Sequence, residues 1–96
     1  MFVLVTYDVK TDTPQGRRRL RSVAKTCEDF GLRVQNSVFE CLLDPAQFAF
    51  LQQSLLALID EEGDRLTFYH LGKGWRHRIE RYGADPGLTH GELLMV

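Results

Sequence analysis

VLVTYDV, residues 3–9, is an apolar run that closes on a carboxylate and a valine. With Phe2 it is apolar in both phases: Val3, Val5 and Tyr7 alternate with Phe2 and Leu4. A strand of an antiparallel sheet with one wet face alternates apolar and polar residues. This strand, about residues 2–8, therefore asks for cover on both faces. Asp8 near its end either begins a turn or is a carboxylate held out on a rigid arm.

Working outward, Thr13 reads as a helix N-cap with Pro14 at the first helical position. The helix runs to about Phe30, where Gly31 stops it. Leu20, Val23, Ala24, Cys27 and Phe30 recur at spacings of three and four and form its apolar face. Arg18, Arg21 and Lys25 fall on the opposite face, with Arg17 and Arg19 at the boundary. RVQNSVFECLL (33–43) is β-rich with a break in phase. Val34 and Val38 point one way, and Phe39, Cys41 and Leu43 the other. Asn36-Ser37 is the bend, giving two short strands or one kinked strand.

Asp44-Pro45 opens a second helix, with Gln47 placed to complete a capping box. Phe48, Leu51, Leu55, Leu58 and Ile59 make its buried stripe. DEEGD (60–64) reads as a turn, RLTFYHL (65–71) as a strand with His70 a strand residue, and GKGW (72–75) as a loop. RHRIERY (76–82) and GELLMV (91–96) read as strands, separated by the ADPG turn. His77 and His90 read as surface residues.

The order β-α-β-β-α-β defines a ferredoxin-like α+β sandwich: one antiparallel sheet with both helices on one face. Residues 1–96 form a single domain, with 76–96 a C-terminal strand extension involved in dimerisation. The uncovered face of the sheet is expected to pack on a second copy, a homodimer with two-fold symmetry, the C-terminal strand crossing to the partner's sheet.

Net charge is −1 over 96 residues, but the charges are segregated. Residues 10–33 carry Lys10, Arg17, Arg18, Arg19, Arg21, Lys25 and Arg33 against Asp12, Glu28 and Asp29. Residues 73–82 carry Lys73, Arg76, Arg78 and Arg81 against Glu80. One basic face toward a polyanion follows from that asymmetry. Clustered arginines near a helix N-terminus repel one another and oppose the helix dipole, a cost that bound phosphate would relieve. Trp75, beside Lys73 and Arg76, is placed to lie against a nucleic-acid backbone or to anchor a dimer.

Cys27 and Cys41 sit in apolar patterns and read as free, buried thiols of a cytoplasmic protein, with no zinc-ligand spacing. No stretch approaches a membrane span, and FVLVTY lacks the features of a signal peptide.

A two-fold axis near the open face would bring Asp8 and its mate together. A pair of carboxylates there would hold Mg²⁺, or Mn²⁺, for phosphodiester chemistry.

The assembled features resemble the CRISPR-associated Cas-two family. The resemblance rests on TYDV (6–9), GRRRLRSVAK (16–25), GLRVQNSVFEC (31–41), DPAQ (44–47) and DRLTFYHLG (64–72). It implies a metal-dependent endonuclease, catalytic and metal-binding through Asp8, with Asp12 as a loosely placed helper acid. It also implies a part in spacer acquisition, the dimer bridging copies of the CRISPR integrase subunit and supporting a DNA duplex.

Arg17, Arg18, Arg19, Arg21, Lys25, Arg33, Lys73, Arg76 and Arg78 are the expected nucleic-acid contacts, and Tyr7, Ser37 and Phe39 the lining of the dimer cleft. Three readings stand side by side. The first is a Mg²⁺-dependent endonuclease cutting DNA or RNA. The second is a non-catalytic scaffold between integrase dimers. The third is a toxin-type ribonuclease.

Overall fold

The structure, a computed structural model, describes residues 1–72 and 78–84. Five strands and two helices follow in the order β1 (Phe2–Asp8), α1 (Pro14–Glu28), β2 (Leu32–Gln35), β3 (Val38–Leu42), α2 (Pro45–Leu58), β4 (Arg65–Leu71) and β5 (Ile79–Gly83). The strands form one sheet in the order β2-β3-β1-β4-β5. Each described pairing is antiparallel. The first four strands have the ferredoxin-like arrangement, and β5 extends the edge beside β4. The expected strand over 76–82 starts three residues later, at Ile79, with residues 76 and 77 outside the described residues. The final strand, GELLMV, also lies outside them, as does its crossing to a partner.

Helix starts follow the sequence closely because their caps are local. Thr13 Oγ1 accepts the Gly16 N–H at 3.0 Å, and Pro14 occupies the first helical position. Asp44 Oδ1 accepts the Gln47 N–H at 2.7 Å while Gln47 Oε1 accepts the Asp44 N–H at 2.9 Å, a complete capping box. The end of α1 differs from expectation. It stops at Glu28, two residues before Phe30, because the chain tightens into three-residue bonds. The Asp29 N–H reaches Thr26 O and the Phe30 N–H reaches Cys27 O.

The core lies between the helices and one face of the sheet. Val3, Val5 and Tyr7 of β1 meet Phe39 and Cys41 of β3 and Leu66 and Phe68 of β4 beneath Val23, Cys27, Leu51 and Leu55. The expected apolar face of α1 is the one that packs: Val23 and Cys27 are buried, with Leu20, Ala24 and Phe30 against them. The 36–37 bend separates β2 from β3, and the register slips between Arg33 and Gln35, which accounts for the break in phase.

The other face carries Phe2, Leu4, Thr6 and Asp8 from β1, with Val38, Glu40 and Leu42 as partners on β3 and Arg65, Thr67, Tyr69 and Leu71 on β4. At one end of that face Phe2, Leu42 and Leu71 are exposed, Leu42 by 77%.

β5 is held by more than its ladder. Glu80 Oε2 lies 2.6 Å from His70 Nε2, and Glu80 Oε1 accepts from Gln52 Nε2 at 2.8 Å and from the Tyr82 hydroxyl at 3.1 Å. This network joins β4, β5 and α2. His70 is thus a buried strand residue, its ring edge-on to Phe48. No helix among the described residues is long and apolar enough to cross a membrane.

Candidate functional site

Asp8 is the last residue of β1, on the open face, and its side chain is 67% exposed. Directly across the ladder stands Arg65, the first residue of β4. Its Nη2 donates to Asp8 Oδ2 at 2.5 Å. The other oxygen, Oδ1, accepts from no described residue.

Behind this pair is a group that the sequence reading missed. Asp64, assigned to a turn, is fully buried. Its Oδ1 accepts the Lys10 N–H at 2.9 Å, and its Oδ2 accepts both the Asp60 N–H and Arg19 Nε at 2.9 Å. Burial alone would raise the carboxyl's pKa. The two N–H groups and the Arg19 guanidinium outweigh it and hold Asp64 below the ordinary carboxylate range. The dipeptide Asp64-Arg65 thereby grips both sides of the β1 exit: Asp64 takes the backbone at Lys10, and Arg65 takes Asp8.

α1 is pressed onto the same exit. A Cβ on Gly16 would lie 2.0 Å from Lys10 O, so only glycine permits this approach. The first turns of the basic helix therefore sit against the loop that follows Asp8. Arg17 Nη1 donates to Thr11 O at 3.3 Å across this junction.

The predicted contacts divide. Arg17, Arg18, Arg21 and Lys25 are exposed on α1. Arg19, expected among the nucleic-acid contacts, differs from that bank: it turns inward to the buried Asp64 as an ion pair, its side chain 25% exposed. Arg33 lies over the Phe39 ring, 5.1 Å from its centroid, with Nη2 3.4 Å from Glu28 Oε1. Arg78 is exposed, and its carbonyl accepts the His70 N–H at the start of β5. Lys73, Trp75 and Arg76 lie outside the described residues, as do His77 and His90. Asp12 is exposed and 4.0 Å from Lys10 Nζ, not beside Asp8 in any described contact.

Tyr7 and Phe39, expected with Ser37 to line a dimer cleft, do not lie on the open face. Tyr7 and Phe39 alternate with Asp8 and Val38 along their strands, so they point to the helix side. There their rings stack at 6.2 Å and Phe39 is fully buried. Tyr7 and Ser37 instead border a cleft of about 400 Å³ between α1 and the β2–β3 bend, with Leu20, Arg21, Ala24, Arg33 and Asn36. Burial raises the Tyr7 phenol above its usual pKa, which keeps the hydroxyl protonated.

A divalent metal of the Mg²⁺ type wants hard oxygen ligands. Asp8 offers one exposed carboxylate with an oxygen to spare. No group of three or more His, Cys, Asp or Glu side chains able to hold a metal occurs among the described residues. One chain thus brings part of a site, and a second copy would have to complete it.

The fold and this arrangement define a class: a ferredoxin-like α+β domain with a lone strand-end carboxylate on the open sheet face and a bank of arginines on one helix. The family model described as CRISPR associated protein Cas2 matches residues 1–79. The chain belongs to that family.

The CRISPR-associated endoribonuclease Cas2 of Nitratidesulfovibrio vulgaris is 55% identical over 96 residues, spanning 99% of this chain and 94% of that protein. The CRISPR-associated endonuclease Cas2 of Halalkalibacterium halodurans is 50% identical over 95 residues, spanning 99% of each. Among solved structures, Streptococcus pyogenes Cas2 at pH 6.5 superposes with a TM-score of 0.70 at 58% identity, covering 86% of this chain and 100% of that one.

Proposed function

We propose that this chain is an endoribonuclease subunit that works as a homodimer joined through the open face of its sheet. In this reading the Asp8 carboxylates of the two copies hold one Mg²⁺ or Mn²⁺ between them. The observation that carries it is Asp8 itself: exposed, on the open face, at the end of a core strand, in a chain whose relatives are named endoribonucleases.

A bound divalent ion would neutralise phosphate charge and lower the pKa of a coordinated water. The chain's own residues do the rest. β1 and the Asp64 clamp fix the position of the carboxylate. Arg17, Arg18 and Arg21 offer phosphate-binding guanidinium groups on the helix packed against the β1 exit.

Asp8→Asn keeps the size and removes the charge, so it should abolish RNA cleavage while leaving the dimer intact. Undiminished cleavage by that variant rejects the catalytic role.

The exposed arginines favour a second reading, because they require no Asp8. The same dimer, as a scaffold in spacer acquisition, would support duplex DNA on its basic surfaces and bridge copies of the integrase subunit. Under this reading Asp8→Asn leaves acquisition intact, whereas charge reversal at Arg17, Arg18 and Arg21 stops it. The two readings are separated by measuring cleavage and acquisition on the same variants.

A further inference from the structure

The Asp8–Arg65 pair is set by the fold. Seven consecutive pairings align β1 with β4, from Phe2 opposite Leu71 to Asp8 opposite Arg65. Asp64 precedes Arg65 and is itself tied to Lys10 and Arg19, so backbone is pinned next to both members of the pair. Both side chains still reach solvent, at 67% for Asp8 and 37% for Arg65. The open face therefore presents a carboxylate that already carries a cation on one oxygen.

We propose that Arg65 is a resident counter-ion that competes with a divalent cation for Asp8 and so sets how tightly this protein holds metal. The inference rests on the reading of Asp8 as a metal ligand. An ion arriving at Oδ2 must displace the guanidinium. An ion arriving at Oδ1 must bind with a full positive charge close by. Either route weakens the metal.

An exposed ion pair of this kind accounts for up to about fivefold in affinity. Repulsion between a guanidinium and a dication a few ångströms apart adds to that. Together they place the effect of removing the charge at about tenfold.

The counter-ion also answers a difficulty of the dimer. Two carboxylates approaching one axis repel each other, but each arrives here already neutralised. The open face can then close before any ion is present, with the metal entering afterwards against Arg65.

The test is Mn²⁺ binding to the full chain, followed by electron paramagnetic resonance of the free ion, for the wild type and four variants. Arg65→Gln retains a hydrogen-bond donor but not the charge, and it should bind Mn²⁺ about tenfold more tightly. Arg65→Met, which keeps length alone, should move the same way and serves if the glutamine variant folds poorly. Arg65→Lys keeps the charge and should stay within about twofold of the wild type. Asp8→Asn should lose the site.

Affinity in Arg65→Gln or Arg65→Met that is unchanged, weaker or absent overturns the role of Arg65. Wild-type affinity in Asp8→Asn overturns the metal reading of Asp8 itself, a separate failure seen on a separate variant.

Discussion

Removing the Asp64 carboxylate would leave two backbone N–H groups and a half-buried guanidinium facing an empty space. Breaking a buried pair by deleting one partner typically costs about 3–5 kcal/mol. Arg19 retains some exposure, so Asp64→Ala should lose about 3 kcal/mol in denaturant unfolding. Asp64→Asn keeps the shape and an acceptor and should lose less.

The same residue gives a pH dependence. Its folded pKa lies below the ordinary 3.8, so the ionised form stabilises the native state above about pH 4. That contribution fades as pH falls through the folded value. Asp64→Asn should therefore show a shallower loss of stability between pH 5 and 2 than the wild type. An equally steep acid limb in both proteins would contradict the assignment.

Cys27 yields an independent check. Burial and the neighbouring Cys41 push its thiol up to about 12. At pH 8 it should resist iodoacetamide in the native protein and react once the chain is unfolded. The free, buried character of both cysteines was legible from their apolar neighbours. Asp64 was not: it stands in an acidic turn, and the partners that explain its burial lie 45 and 54 residues away.

At the scale of elements, the two helices differ in what they expose. α1 presents Arg17, Arg18, Arg21 and Lys25, while α2 contains no charged residue between Pro45 and Leu58. Sequence spacing found both helices, both N-caps and the apolar stripes, because those signals are local and periodic. It did not separate Arg19 from its neighbours, since inward and outward arginines differ only in what a distant strand offers them.

The distinction predicts two phenotypes from one helix. Reversing Arg17, Arg18 and Arg21 to glutamate should leave the unfolding midpoint nearly unchanged. It should also weaken single-stranded RNA binding and flatten the slope of log K against log salt by about two, because three guanidinium groups no longer neutralise phosphates. Arg19→Glu should instead lower stability, with a buried carboxylate now facing another. Filter binding across a salt series, alongside denaturant unfolding of the same variants, distinguishes the two. Equal stability losses in both sets would mean that the helix has no division of labour.

For the whole molecule the deciding property is the doubly apolar first strand. One of its faces fills the core with Val3 and Val5, and the other leaves Phe2 exposed near Leu42 and Leu71 while carrying Asp8 at the far end. That this strand carries apolar side chains on both of its faces was legible in residues 2–8. Which side chains share the open face was legible only where the alternation was kept in view: Asp8 belongs with Phe2 and Leu4, and Tyr7 and Phe39 do not. The fold thus places the carboxylate and the exposed apolar patch on one surface, so a change in the patch can be used to ask whether the proposed chemistry depends on the proposed association.

A charge at Leu42 tests this. Across a two-fold interface each substitution counts twice, and burying one leucine contributes about 1.5–3 kcal/mol. Leu42→Glu should raise the dimer dissociation constant by at least a hundredfold in sedimentation equilibrium. The monomer's fold should survive, because Leu42 contributes nothing to the described core. If two Asp8 side chains share the metal, Mn²⁺ affinity should fall with the dimer even though Asp8 is untouched. A Leu42→Glu protein that becomes monomeric yet binds Mn²⁺ as the wild type does would show that one chain suffices, and would remove the reason for placing the ion on the symmetry axis.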